Sequence, residues 1–141
     1  MRFMMLVIPD GYGEAPPGTV PDAAGVEEMM AFNRQLEDSG VLVALDGLHP
    51  PSMGARVTWR NREKTVTDGP FAEAREVLGG YWIIDVPSKE DAIAWAMRVP
   101  FQEDGVIEIR QVQEMEDFPE DVQAAASGFA EMREAARAGN P

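Results

Sequence analysis

Two short, strongly apolar runs stand out along the chain, at Phe3 to Ile8 and at Tyr81 to Val86. Both lack the polar alternation of a half-exposed strand, so they predict β-strands covered on both faces. From about Asp22 to Ser39 the apolar residues recur with a helical period, and Gly40 follows as a stop signal. This segment predicts an amphipathic helix whose inward stripe holds Val26, Met29, Met30, Asn33 and Leu36.

Further segments have the pattern of strands. Val41 to Leu45 is apolar and is followed by Asp46-Gly47. The segments Arg56 to Trp59 and Thr65 to Thr67 flank a polar stretch, which is typical of a short β-hairpin. In the last predicted strand, Val106 to Gln113, alternation places one pair of side chains on each face: Ile107 with Ile109, and Glu108 with Arg110.

Two more helices are predicted after the hairpin. Ser88 is placed to cap a helix whose first turn carries Glu90 and Asp91, and Pro100 ends it. The residues expected to be buried by this helix are Ala92, Ile93, Ala96 and Met97. A last helix is expected from Pro119 to about Ala138, weakened by Gly128, with an apolar stripe of Val122, Ala125, Phe129, Met132 and Ala136.

Without the hairpin, the order of elements is β-α-β-β-α-β. This order predicts an α+β, ferredoxin-like fold with an inserted β-hairpin and an extra C-terminal helix. The first and third strands are central in this topology, and both helices cover the same face of the sheet. The two fully apolar strands therefore need a cover on the other face. A second copy of the sheet is favoured, which predicts a homodimer; the alternative is that the C-terminal helix folds back.

Composition narrows the classes of function. The 141 residues fit one domain, and 25 acidic against 12 basic residues give a net charge of −13. Such a surface disfavours direct binding to nucleic acid or to an anionic membrane. The chain has no cysteine, no Gly-rich phosphate loop and no recognised metal-ligand spacing, so no cofactor or metal is expected. The first apolar run is too short for an export signal or a membrane span, which predicts a cytoplasmic location.

Several blocks of the sequence resemble a known family. The stretch "VTDGPFAEAREVLGGYWIIDVPSKEDAIAWAMRVP" is similar to the signature of YCII-related proteins, in particular their DGPF-domain branch. The blocks "GLHPPSMGARV" and "IEIRQVQEMEDF" are similar to one subgroup of that branch. The resemblance runs to about Phe118, which predicts a YCII-related domain over residues 1–118 and a helical extension of it over 119–141.

The resemblance implies a dimeric α+β barrel, in which two ferredoxin-like protomers pack sheet to sheet. Some YCII-like proteins are described as using a His–Asp pair, and DGPF-branch proteins are often linked to extracytoplasmic-function sigma factors. The histidine of the YCII pattern lies on the first helix, in a stretch resembling "HLAYLKALAEAG". Aligned with "MMAFNRQLEDSG" of this chain, that pattern places Met29 at the position of the histidine.

Asp68 and His49 are the candidate catalytic residues. Asp68 begins the Asp-Gly-Pro-Phe motif, where an aspartate either sets a turn or turns its carboxylate into a pocket; Pro70 could also begin a short helix through Val77. His49 is the single histidine of the chain, so imidazole chemistry would depend on it. It is either an exposed loop residue or, within hydrogen-bond reach of Asp68, half of a rebuilt His–Asp pair.

The candidate ligand-binding residues are Asn33, Phe71, Tyr81, Trp82 and Arg110. Each also has a structural interpretation, because aromatic and amide side chains most often serve packing and one satisfied hydrogen bond. Two functions stay open. The first is a small-molecule-binding protein or enzyme with acid–base chemistry near Asp68 and His49. The second is a non-catalytic dimer that binds a regulatory protein such as a sigma factor.

Overall fold

A computed structural model describes residues 1–101 and 104–139 of the chain. Its strands are β1 (Arg2–Pro9), β2 (Leu42–Gly47), β3 (Ala55–Arg60), β4 (Glu63–Asp68), β5 (Gly80–Asp85) and β6 (Gly105–Gln111). Its helices are α1 (Ala23–Asp38), α2 (Lys89–Ala96), α3 (Glu120–Ala125) and α4 (Phe129–Arg137). Four strands form an antiparallel sheet in the order β2-β5-β1-β6, while β3 and β4 form a separate hairpin. The α+β, ferredoxin-like prediction is confirmed, with β1 and β5 at the centre.

Helix α1 begins and ends where the sequence predicts. The Asp22 side chain caps it by accepting a hydrogen bond of 2.7 Å from the Gly25 N–H, and Gly40 follows with a φ of 76°. The predicted stripe is wrong in part. Phe32 and Leu36 are the buried residues, while Val26 and Met30 are exposed. The stripe follows the i, i+3, i+7 positions from Met29, which rotates Val26 and Met30 away from the sheet.

Helix α2 is capped as predicted but buries a different face. The Ser88 Oγ accepts a hydrogen bond of 3.2 Å from the Asp91 N–H. Ala92 is fully buried and Ala96 packs against the core, as expected. Ile93 and Met97 are exposed instead of buried, and Trp95 takes their place against the core. The helix ends at Ala96, ahead of Pro100, so it is too short to keep Met97 on its inner face.

The core lies between the two helices and one face of the sheet. Its buried residues are Phe3 and Met5 of β1, Trp82 and Ile84 of β5, Phe32 and Leu36 of α1, Ala92 of α2, and Val86 between β5 and α2. Ile107 and Ile109 of β6 pack against this cluster, as the alternation predicts. The intervening residues Met4, Leu6 and Ile8 of β1 are half-buried on the other face of the sheet. The two faces of β1 therefore differ in burial within one chain.

The hairpin extends away from the sheet. Asn61 and Arg62 form its turn with φ values of 49° and 68°, the left-handed pair that suits the twist of a two-residue hairpin. Every residue of β4 is exposed, and Trp59 of β3 keeps 64% of its surface exposed. The two strands form a thin ribbon with no core of its own, a structure with marginal stability in isolation.

The predicted C-terminal helix is two helices. Gly128 has a φ of 90° and separates α3 from α4. The apolar stripe expected to face inward is exposed at Val122, Phe129 and Met132, so no buried face enforces one continuous helix. Residues 140–141 of the predicted extension lie outside the described residues. Within the described part of the chain, no helix is long and apolar enough to cross a membrane.

Candidate functional site

The main candidate site, called here the α1 cavity, lies between α1 and the end of the sheet where β2 meets β5. Its volume is about 340 Å³. Gly80 allows this close approach of the strands, because a Cβ there would lie 2.8 Å from the Asp46 carbonyl oxygen. The lining residues are Val7, Pro21, Met29, Asn33, Leu45, Asp46, Gly47, Gly79, Gly80, Tyr81 and Trp82. The sequence-predicted residues Asn33, Tyr81 and Trp82 are thus brought together.

Asn33 is the polar group in the helical wall of the cavity. Its Oδ1 accepts a hydrogen bond of 2.8 Å from the Trp82 Nε1–H, and since an indole is only a donor, this fixes the orientation of the amide. The Asn33 Nδ2 is 3.5 Å from the Met30 sulfur, a weak acceptor. Trp82 is itself held by an edge-to-face contact with Phe32, with ring centroids 5.3 Å apart. The amide N–H groups of Asn33 are therefore available within a rigid wall.

Asp46 and Tyr81 form a second polar pair at the edge of the cavity, with side chains that alternation places on the sheet face away from α1. They are cross-strand neighbours in β2 and β5, and the Tyr81 hydroxyl donates a hydrogen bond of 2.9 Å to Asp46 Oδ2. This hydrogen bond to a carboxylate raises the pKa of Tyr81 above its ordinary value, and partial desolvation and the Asp46 charge act in the same direction. Tyr81 is thus kept as a protonated donor, with Asp46 as its acceptor.

The formal charge at the α1 cavity is negative. Within residues 1–101 and 104–139, Asp46 is the only lining residue with a formal charge, and none of the lining residues is Lys, Arg or His. A neighbouring cavity of about 320 Å³ shares Pro21, Met29 and Asn33 and continues the apolar wall along α1 to Phe101. The two cavities together form an apolar cleft along α1, with the Asn33 amide on its helical wall and Asp46 at the sheet end.

His49 and Phe71 line a different cavity, called here the hairpin cavity, at the base of β3. Its volume is about 500 Å³. The lining residues come from the segments 48–51, 53–56, 71 and 76–78. They include the exposed His49 and Arg56, with the Arg56 guanidinium lying 4.1 Å from the centroid of the Phe71 ring. The predicted site residues therefore divide between two cavities.

The Asp68 carboxylate is exposed, whereas the hypothesis of a pocket at this motif expects it to face an enclosed cavity. Asp68 is the exposed last residue of β4, opposite Ala55, and in the described part of the chain it is absent from the lining of both cavities. No hydrogen bond or ion pair joins it to His49 among the described residues. The short helix from Pro70 to Val77 is also not formed, since this segment contains only turns and bends. The hairpin carries the Asp68 side chain into solvent because β4 has left the main sheet.

Arg110 also lies outside both cavities. It is exposed on β6, and its Nη1 is 3.5 Å from Glu108 Oε2 on the same strand. Within residues 1–101 and 104–139, no cluster of three or more His, Asp or Glu side chains could hold a metal ion. Asp46 and Arg56 are the residues that the sequence did not single out. Asp46 precedes a glycine at a strand end and Arg56 lies in a run of basic residues, so both have the pattern of ordinary surface residues.

Comparison with known proteins finds a matching family and a similar protein. The family model of the YCII-related domain matches residues 1–116. A protein of Rhizobium meliloti (strain 1021), described as uncharacterized protein R00369, is 32% identical over 75 residues, which are 53% of this chain. The aligned region spans 60% of the length of that relative. The family model covers most of the chain, including β1 to β6 and both cavities, so the chain belongs to the YCII-related family.

Proposed function

We propose that this chain is a small-molecule-binding protein whose ligand occupies the α1 cavity. The observation that carries the proposal is the position of Asn33. Its carboxamide oxygen accepts the hydrogen bond from Trp82, while among the described residues its N–H groups contact only the Met30 sulfur. A few fixed polar groups in an otherwise apolar, concave wall are typical of ligand sites.

The charges of the cavity define the ligand class. Because Asp46 is the only charged residue among the described residues of the lining, a neutral or positively charged ligand is favoured over a carboxylate or phosphate. The adjoining cleft along α1 suits an elongated apolar body. Arg110, one of the candidate ligand-binding residues, is exposed on β6 beside Glu108 and is absent from the described lining of this cavity.

If the site also performs acid–base chemistry, Asp46 and Tyr81 are its proton acceptor and donor. They are the titratable groups in the lining, joined by a hydrogen bond of 2.9 Å. Met29 lines the same cavity and occupies the position that the YCII resemblance assigns to histidine. The sequence-based hypothesis of a His49–Asp68 pair receives less support, because Asp68 is exposed and not joined to His49.

The test uses three probes with the same apolar body: phenylbutyramide, phenylbutylamine and phenylbutyrate. The chain has three tryptophans, so the Trp82 indole N–H signal can be assigned and followed by heteronuclear NMR. The amide or the amine should shift this signal at lower concentration than the carboxylate does. Asn33→Leu should weaken binding, while Gln35→Leu, an exposed amide on the same helix, should leave it unchanged. Equal binding by both variants, or tightest binding of the carboxylate, would refute the proposal.

We also propose that the protein is a homodimer. The half-buried Met4, Leu6 and Ile8 support this, as they lie on the sheet face opposite α1 and α2. The hairpin adds exposed apolar residues at Val57 and Trp59. Light scattering at micromolar concentration should give about twice the chain mass of 15.5 kDa. A stable species with the mass of one chain would contradict the dimer.

A second candidate function is binding to a regulatory protein such as an extracytoplasmic-function sigma factor, which requires the predicted cytoplasmic location. The exposed Phe129 and Met132 of α4 favour it, because apolar side chains on a surface helix are typical of a partner-binding face. A purified sigma factor of that class should bind the wild-type protein, and Met132→Glu should weaken the complex. Unchanged binding of the variant would exclude α4 as the contact.

A further inference from the structure

The hairpin cavity has a chemistry opposite to that of the α1 cavity. It contains the two basic side chains His49 and Arg56, together with one acid, Glu76. The hairpin segment 56–64 also concentrates four of the twelve basic residues of an otherwise acidic chain: Arg56, Arg60, Arg62 and Lys64. The charge around this cavity is therefore more positive than the net charge of −13 of the whole chain would suggest.

Arg56 is held in a fixed orientation without an acidic partner. Its guanidinium lies over the Phe71 ring at 4.1 Å from the centroid. Among the described residues it takes part in no ion pair. Stacking on a ring uses the face of the guanidinium and leaves N–H groups at its edge, which match the geometry of a carboxylate or a phosphate.

The Asp-Gly-Pro-Phe segment fixes the platform for this arginine. The Gly69 N–H donates a hydrogen bond of 2.9 Å to the Gly54 carbonyl oxygen. A Cβ on Gly69 would lie 1.6 Å from the Pro51 carbonyl oxygen, so only glycine fits this approach. The facing loop is anchored in turn, since the Tyr12 hydroxyl donates a hydrogen bond of 2.6 Å to the Leu48 carbonyl oxygen. Phe71 is thereby placed against the hairpin by a packed backbone.

We infer that the hairpin cavity binds the carboxylate or phosphate group of a small organic anion. Arg56 pairs with the anionic group, His49 supplies a ring N–H from the same cavity, and the apolar walls at Pro50 and Val77 contact the body of the ligand. This site is separate from the α1 cavity, so it goes beyond the function proposed above. Glu76 opposes an anion there and tunes its affinity.

The experiment titrates benzoate, phenyl phosphate and the neutral benzamide into the ¹⁵N-labelled full chain. Benzoate or phenyl phosphate should shift the amide signals of residues 48–49, 52–56 and 76–78, and benzamide should not. The tighter of the two anions identifies the group as carboxylate or phosphate. Arg56→Gln should raise the Kd at least about tenfold, as expected for the loss of a charge-assisted hydrogen bond.

Two further variants make the result specific. Arg60→Gln removes the same charge from the same strand near the hairpin tip, and it should leave the Kd nearly unchanged. Glu76→Gln should lower the Kd, because it removes a like charge from the cavity. The amide spectrum of each variant reports its folding. Equal loss in Arg56→Gln and Arg60→Gln, or no anion-specific shifts in the wild-type protein, would overturn the inference without affecting the α1 cavity.

Discussion

The sharpest stability prediction concerns Glu114, which joins the C-terminal helices to the first strand. Its Oε1 is 2.6 Å from Arg2 Nε and its Oε2 is 3.0 Å from Arg133 Nη1 of α4. The hydrogen bond from Arg2, followed by that from Arg133 and both positive charges, lowers the pKa of Glu114 from 4.5 to about 2, against an opposing effect of desolvation. Arg2 Nη2 is buried and has no hydrogen-bond partner in the described part of the chain, so removing Glu114 would leave the Arg2 Nε–H without its acceptor as well.

The magnitude and its pH dependence follow from this pKa. A difference of this size between folded and unfolded chains corresponds to about 3 kcal/mol at pH 7. Because the Glu114 side chain is 23% exposed, screening reduces the expected loss in Glu114→Gln to about 1–2 kcal/mol. The folded pKa is lowered, so the stabilisation is complete above pH 4.5 and disappears as the pH falls towards 2.

Urea unfolding at pH 7 and at several values below 5 measures this effect. The free energies of wild type and Glu114→Gln should differ most at pH 7 and converge in acid. Glu116→Gln, which removes a nearby acid from the same acidic segment, should behave like wild type. A ¹³C NMR titration gives the Glu114 pKa directly. A measured pKa near 4.5, or equal effects of the two substitutions, would refute the reasoning.

Three other outcomes are expected. In thermal unfolding, Gly69→Ala should destabilise the fold by about 3 kcal/mol or more, because the added Cβ overlaps a backbone oxygen. The control Gly54→Ala should cost less than about 1 kcal/mol, because its Cβ would have an ordinary contact at 3.6 Å. In a variant whose sole tyrosine is Tyr81, the phenol should titrate above its ordinary pKa in ultraviolet absorbance, and Asp46→Asn should lower that pKa; an unchanged titration would contradict the hydrogen bond. Arg62→Gly should stabilise the protein by about 0.5–1 kcal/mol in urea unfolding, because φ is 68° at this turn; a loss of stability would contradict this.

The sequence predicts the framework of this fold well because local signals and burial agree. Strand β1 and helix α1 begin and end within one or two residues of their predicted positions, where an apolar run or a capping aspartate marks them. The errors occur where periodicity alone assigns a buried face. Met97 is predicted to be buried and is 82% exposed, because α2 is short and its inner face is set by the packing of Ala92 and Trp95.

The sequence predicts the residues of the candidate site less well than it predicts the fold. Asn33 and Trp82 come together because α1 packs on the face of β5 that carries Trp82, which the topology implies. Tyr81 lines the cavity at the end of β5, although alternation places its side chain on the opposite face. The ligand role of these three residues stays a prediction. The position of Asp68 depends on how the hairpin leaves the sheet, and Asp46 becomes part of a site only through its cross-strand pairing with Tyr81. Neither relation is local in sequence.

The parts of the Asp-Gly-Pro-Phe motif have separate physical roles. Asp68 is the last residue of β4, paired with Ala55, and faces solvent. Gly69 provides the approach to the Pro51 carbonyl oxygen that no side chain would allow. Phe71 then carries the Arg56 guanidinium at the edge of a cavity whose walls come from three other segments. The motif thus contributes Phe71, and through it the position of Arg56, to the hairpin cavity, while its acid Asp68 lies outside the described lining. We therefore expect that removing the charge of Asp68 leaves that cavity unaltered, whereas removing the Phe71 ring frees the Arg56 guanidinium from its contact.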